Sequence, residues 1–74
     1  MHMDILKHLG KRVHELRVQA GWSQESFADL TGLHRTYISG IERGLRNPTL
    51  LIVERLAKAF SISPSELLKV DIKK

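Results

Sequence analysis

"SQESFADLTGLHRTYISGIERG", residues 23 to 44, decides how the rest of the chain is read. Ser23 is a side-chain acceptor of the kind that caps a helix start, and Glu25 falls in the first turn, where the helix dipole favours negative charge. Phe27 and Ala28 then face a core, and Gly32 supplies the left-handed backbone that a tight turn needs. A second helix begins near His34 and runs to Arg43, with Leu33, Ile38 and Ile41 pointing inward and Gly44 closing it. Its outer face is therefore Arg35, Thr36, Ser39, Gly40 and Arg43, with Tyr37 at the margin. That face is small, polar and basic.

The helical beat continues on both sides. Upstream, from about Ile5 to Ala20, Leu6, Leu9, Val13, Leu16 and Ala20 recur at spacings of three and four, and Gly21 supplies a stop. Downstream, after the loop Leu45 to Pro48, Thr49 caps a helix with Leu50, Val53, Leu56, Ala57 and Phe60 on one broad stripe. Ser63, Pro64 and Glu66 read as a capping box with proline at the first helical position, opening a last helix from about Pro64 to about Lys69. No alternating run reads as a strand. The expectation is an all-α, compact five-helix bundle in which residues 1–74 form one domain, the central helix pair occupies about 23–43 and the C-terminal helices about 49–69.

At 74 residues and 42% hydrophobic content, such a domain is near the lower size limit for a single core. Cysteine is absent, so neither disulfides nor thiolate-bound metal can staple it. The net charge of +4 favours a polyanionic partner if it gathers on one face. No apolar run approaches the roughly 18 residues of a membrane span, and the start lacks the apolar block of a signal peptide, so a soluble, cytoplasmic protein is expected. Met1, His2 and Met3 carry no argument. His8 and His14 lie six apart on opposed helix faces without carboxylate support, so neither a metal nor a cofactor is expected. No glycine-bounded nucleophile turn or paired-carboxylate pocket suggests catalytic residues, and no enzyme is expected.

Two short helices around Gly32, the second exposing short polar side chains beside arginines, meet the needs of major-groove reading. Thr36, Ser39 and Gly40 let the backbone approach base edges, and Arg35 can grip guanine O6 and N7 with a bidentate fork. At these residues the chain resembles the phage repressor and Cro class of helix-turn-helix regulators (XRE-like). It shares the Ser-Gln start, the hydrophobe followed by Ala, the turn Gly, the Ile-Glu pair and the closing Gly. Within that class, "HRTYISGIERGLRNPT" is most similar to the controller proteins of restriction-modification systems.

The resemblance implies a lambda-repressor-like DNA-binding domain, bacterial or phage-encoded. It would act as a sequence-specific transcription regulator that binds an inverted-repeat operator in double-stranded DNA as a homodimer. It implies that Gln24 binds a backbone phosphate at the start of the second helix and that His34 meets phosphate or caps the third. Arg35, Thr36, Ser39 and Gly40 would face bases, while Arg43 and Arg46, with Asn47 beside them, approach the backbone or the minor groove. Tyr37 either packs at the core edge or lies against the sugar-phosphate. Arg17 and Glu42 correspond to a buried ion pair tying the first helix to the third. Glu25 and Asp29 are either a contact for RNA polymerase or a solvated helix face. Leu51, Ile52, Ile62, Leu67 and Leu68, with Ile72, carry more apolar surface than so short a tail can bury; either a two-fold interface there covers it or a monomer leaves a few apolar residues exposed. The alternatives are a phage-type or stand-alone repressor, and an antitoxin-like module whose partner is a protein.

Overall fold

Every helix start among the described residues is fixed by one short polar side chain or by the turn just before it. In the computed structural model, which describes residues 4–70, the elements are α1 (Ile5–Gln19), α2 (Gln24–Thr31), α3 (Arg35–Glu42), α4 (Leu50–Ala59) and α5 (Pro64–Leu67). Asp4 Oδ1 accepts from the amides of Leu6 and Lys7 at 3.1 and 3.2 Å and begins α1. Ser23, Thr49 and Ser63 do the same for α2, α4 and α5, taking the amides of Ser26, Ile52 and Glu66 at 3.0–3.2 Å. These bonds satisfy donors that a helix start otherwise leaves unpaired. Gly32, at φ 73°, closes α2 in the left-handed conformation and turns the chain toward α3.

The core gathers side chains from all five helices: Leu9 and Val13, Phe27 and Ala28, Ile38 and Ile41, Val53, Leu56 and Ala57, and Leu67. Phe27 and Phe60 stack with ring centroids 4.9 Å apart, and Trp22 stacks on both at 5.8 Å. Trp22, in the turn between the first two helices, thereby packs against both α2 and the end of α4. The buried hydroxyl of Thr31 is satisfied by donating to the Phe27 carbonyl at 2.8 Å.

At Gly10 the backbones of α1 and α3 touch. A Cβ there would stand 2.6 Å from the Glu42 carbonyl oxygen and would also strike that of Ile41. Only glycine lets α1 lie this close to the end of α3.

Three expectations about the C-terminal helices need correction. Leu67 is fully buried in the core, so it is unavailable to a second chain. Leu50 is 83% exposed, because as the first residue of α4 it projects beyond the layer formed by Val53, Leu56 and Ala57. The last helix ends at Leu67, short of Lys69. Its final carbonyls are taken up by α1, Arg12 donating to Glu66 and Leu67 at 3.0 and 3.3 Å, and just beyond the helix His8 Nε2 lies 2.8 Å from the Lys69 carbonyl. Ile52, Ile62 and Leu68 are half-buried against the core, Leu51 is 76% exposed, and Ile72 lies outside the described residues. Among the described residues no helix is long and apolar enough to cross a membrane.

Candidate nucleic-acid interface

Helix α3 is held from behind by Ile38 and Ile41, both essentially without solvent contact. Residues three and four positions apart share a helix face, so fixing those two inward turns Thr36, Ser39 and Arg43 outward and leaves Arg35, in the first turn, at the edge of that outer face. Arg35, Thr36 and Arg43 are exposed and Ser39 is half-exposed. His34 occupies the N-cap position but its ring makes no capping bond, so the capping half of its expected role is not seen; the side chain is exposed instead. Asn47 is exposed in the loop that follows.

Gly40 corrects the picture of an open groove-facing backbone. Its position on α3 points outward, yet it is buried. The side chain of Arg46 covers it: a Cβ on Gly40 would come within 2.8 Å of Arg46 Cγ and 3.0 Å of its Nε. The guanidinium carbon of Arg46 stands 5.7 Å from the centroid of the Tyr37 ring, a cation–π distance. Tyr37 is half-buried with one part of its ring against the core, so it packs at the core edge and also supports Arg46.

Behind this face lies a charged cluster around Glu42, whose side chain is 5% exposed. Arg17 Nε donates to Oε2 at 2.6 Å and Arg17 Nη2 to Oε1 at 3.1 Å, a bidentate pair joining α1 to α3. Arg17 Nη1 also donates to the Trp22 carbonyl at 2.7 Å, so the same guanidinium fixes the turn before α2. Gln24 Nε2 donates to Glu42 Oε1 at 3.1 Å, and His14 Nδ1 lies 3.0 Å from the same oxygen. Burial by itself would push the Glu42 carboxyl up. Hydrogen bonds from Arg17, His14 and Gln24, with the Arg17 charge, outweigh it and hold the group below its ordinary value. The hydrogen bond to Glu42 outweighs desolvation at Arg17 and raises its pKa.

The pairing of Arg17 with Glu42 is accompanied by two partners that the sequence does not announce, His14 and Gln24. A signal exists for His14, which precedes Arg17 by three residues and so shares its helix face. Gln24 uses one amide hydrogen on Glu42 and has a second beside the first turn of α2, where backbone N–H groups and the dipole favour an anion. Glu25 and Asp29 are exposed on the same helix, and neither is in an ion pair among the described residues.

Comparison with known proteins places this geometry. A family model described as helix-turn-helix matches residues 13–67. The control protein C.BamHI of Bacillus amyloliquefaciens is 45% identical over 60 residues, spanning 80% of this chain and 74% of that one. The crystal structure of the restriction-modification controller protein C.AhdI from Aeromonas hydrophila superposes with a TM-score of 0.80 at 48% identity, over 84% of this chain and 94% of that chain. The restriction-modification controller C.Esp1396I, solved as a tetramer in complex with its natural 35-base-pair operator, gives a TM-score of 0.78 at 34% identity, over 90% of this chain and 92% of that chain.

Proposed function

This chain belongs to the helix-turn-helix family, and we propose on that premise that it is a transcription regulator controlling a restriction-modification operon from an inverted-repeat operator. The observation that carries the reading is the outer face of α3, where Arg35 and Thr36 are exposed and Ser39 half-exposed after the left-handed turn at Gly32. Arg35 forks onto guanine O6 and N7. Thr36 and Ser39 are short enough to let the helix sit deep in the groove while their hydroxyls reach base edges. Gln24, His34, Arg43 and Asn47 flank that face and take phosphates, which fixes register without reading sequence. Each phosphate so neutralised by a cation releases counterions, so binding weakens as salt rises. The work is done in the cytoplasm, where the operator is, and the chain acts by binding rather than by chemistry.

The regulator is a homodimer. Leu51 lies two residues before the buried Val53, which puts it on the opposite side of α4 and leaves it 76% exposed. With the half-buried Ile52, Ile62 and Leu68 it offers an apolar surface for a second copy. Two-fold pairing there sets the two α3 helices about 34 Å apart, one helical turn of DNA. Control then follows protein concentration through successive filling of operator sites.

Selection from a random DNA pool, with the unaltered chain and with Arg35→Ala, tests this reading. The unaltered chain should enrich an inverted repeat, and Arg35→Ala should relax a guanine preference in each half-site with a loss of about 1–3 kcal/mol. No enriched sequence from a folded protein would overturn it and point to a protein partner. Glu25 and Asp29, exposed together on α2, are proposed as the contact with RNA polymerase. Changing both to alanine should leave operator affinity intact and abolish transcriptional activation in a reconstituted assay; full activation by the double variant would reduce them to solvated charges.

A further inference from the structure

Gly40 occupies a position on α3 that faces outward, four residues after Thr36 and three after Tyr37, yet has no side chain with which to read anything. The structure fills that gap from elsewhere in the chain. After Gly44 the loop folds back, with the Leu45 amide donating to the Gly40 carbonyl at 2.9 Å, and the stem of Arg46 comes to rest on Gly40. Its guanidinium lies over Tyr37. Among the described residues Arg46 takes part in no hydrogen bond or ion pair, so its donors are unspent. A planar fork held over an aromatic ring has already given up much of its freedom, and less is lost when it forms a bidentate bond.

We infer that Arg46 stands in for the missing side chain at Gly40 and is a second guanine-reading residue beside Arg35, with Gly40 as its seat and Tyr37 as its support. The inference rests on the operator-binding reading above. Gly40 thereby has a definite role, because any Cβ at this place displaces Arg46 from the reading face. The displaced atoms belong to a flexible side chain, so the substitution shifts Arg46 without straining the bundle.

The test is a double-variant cycle on operator binding, with Gly40→Ala, Arg46→Ala and the two combined, accompanied by random-pool selection for each. Thermal melting checks that Gly40→Ala remains folded; alanine also raises helix propensity at that site. Each single variant should weaken binding about tenfold or more and relax the same base-pair position, as loss of a bidentate contact does. The double variant should be no weaker than Arg46→Ala alone. A third variant, Arg46→Lys, keeps the charge but loses the fork, and should lose the base preference while keeping the salt dependence. Equal losses from Gly40→Ala in the presence and absence of Arg46 would overturn the inference, because the methyl group would then be acting directly in the groove. So would an unchanged selected motif with Arg46→Ala or Arg46→Lys, which would make Arg46 a phosphate contact. An unaltered chain that enriches no motif would instead defeat the regulator reading itself.

Discussion

Arg17→Ala should cost about 3–5 kcal/mol, the usual penalty for stranding one partner of a buried ion pair. A 74-residue domain has only about 4–11 kcal/mol in total, so the variant should lose a large share of its stability and unfold at a clearly lower urea concentration. Three losses add up. Glu42, at 5% side-chain exposure, loses both guanidinium bonds, and the Trp22 carbonyl loses its donor as well. His14 and Gln24 still reach Glu42, but neither brings the permanent charge of arginine. Glu42→Gln keeps the shape and an amide oxygen as an acceptor, but it strands the buried Arg17 guanidinium in turn and should also be destabilising.

The same pair gives the prediction a pH signature. Because folding lowers the Glu42 pKa, its contribution is fully present above the ordinary carboxylate value and is lost as pH falls through the folded one. The unaltered chain should therefore lose stability below pH about 4, and its advantage over Glu42→Gln should close over that range. Urea denaturation followed by circular dichroism at several pH values measures the gap. A gap that stays constant from neutral to acid would assign the effect to packing and remove the ion pair from the explanation.

What could be read from the sequence was local chemistry, and what could not was the crossing of segments far apart in the chain. Ser23, Thr49 and Ser63 declare helix starts because a cap acts within three residues of itself, and Gly32 declares a turn because its backbone needs φ near 73°. The outward placement of Thr36 and Arg43 followed from the period of α3 alone, whereas Arg35, three residues before Ile38, is exposed because it stands at the first residue of the helix. Periodicity failed where an element ends or where another lies across it. Leu50 fits the stripe of α4 but stands at its first residue, and Leu67 and Leu68 are adjacent at the end of a helix of four residues, too short for a period to separate them. Gly40 is outward by period and covered by a side chain six residues on. The end of α4 has no glycine to mark it, because Ser61 takes the left-handed turn at φ 57°.

Gly10 is the position where this difference has its largest consequence. In an isolated helix, alanine in place of an interior glycine would stabilise by about 1 kcal/mol. Here the sign should reverse, and Gly10→Ala should destabilise by about 3 kcal/mol or more, at or beyond the upper end of overpacking effects. The new methyl meets the main-chain oxygens of Ile41 and Glu42, which cannot swing aside as a side chain can. Relief requires α1 and α3 to separate, and Arg17, two turns along the same face of α1 from Gly10, is bonded to Glu42 on α3. Separation therefore stretches the ion pair as well as opening the core at Ile41. The two effects share one interface, so they should not add: the cost of Gly10→Ala should be smaller when Glu42→Gln has already loosened the crossing. Gly40→Ala is the internal control, since it too places a methyl group on a helix but against a mobile arginine stem, and should leave the urea midpoint nearly unchanged. If Gly10→Ala matched the stability of the unaltered chain, the backbone contact between α1 and α3 would be wrong.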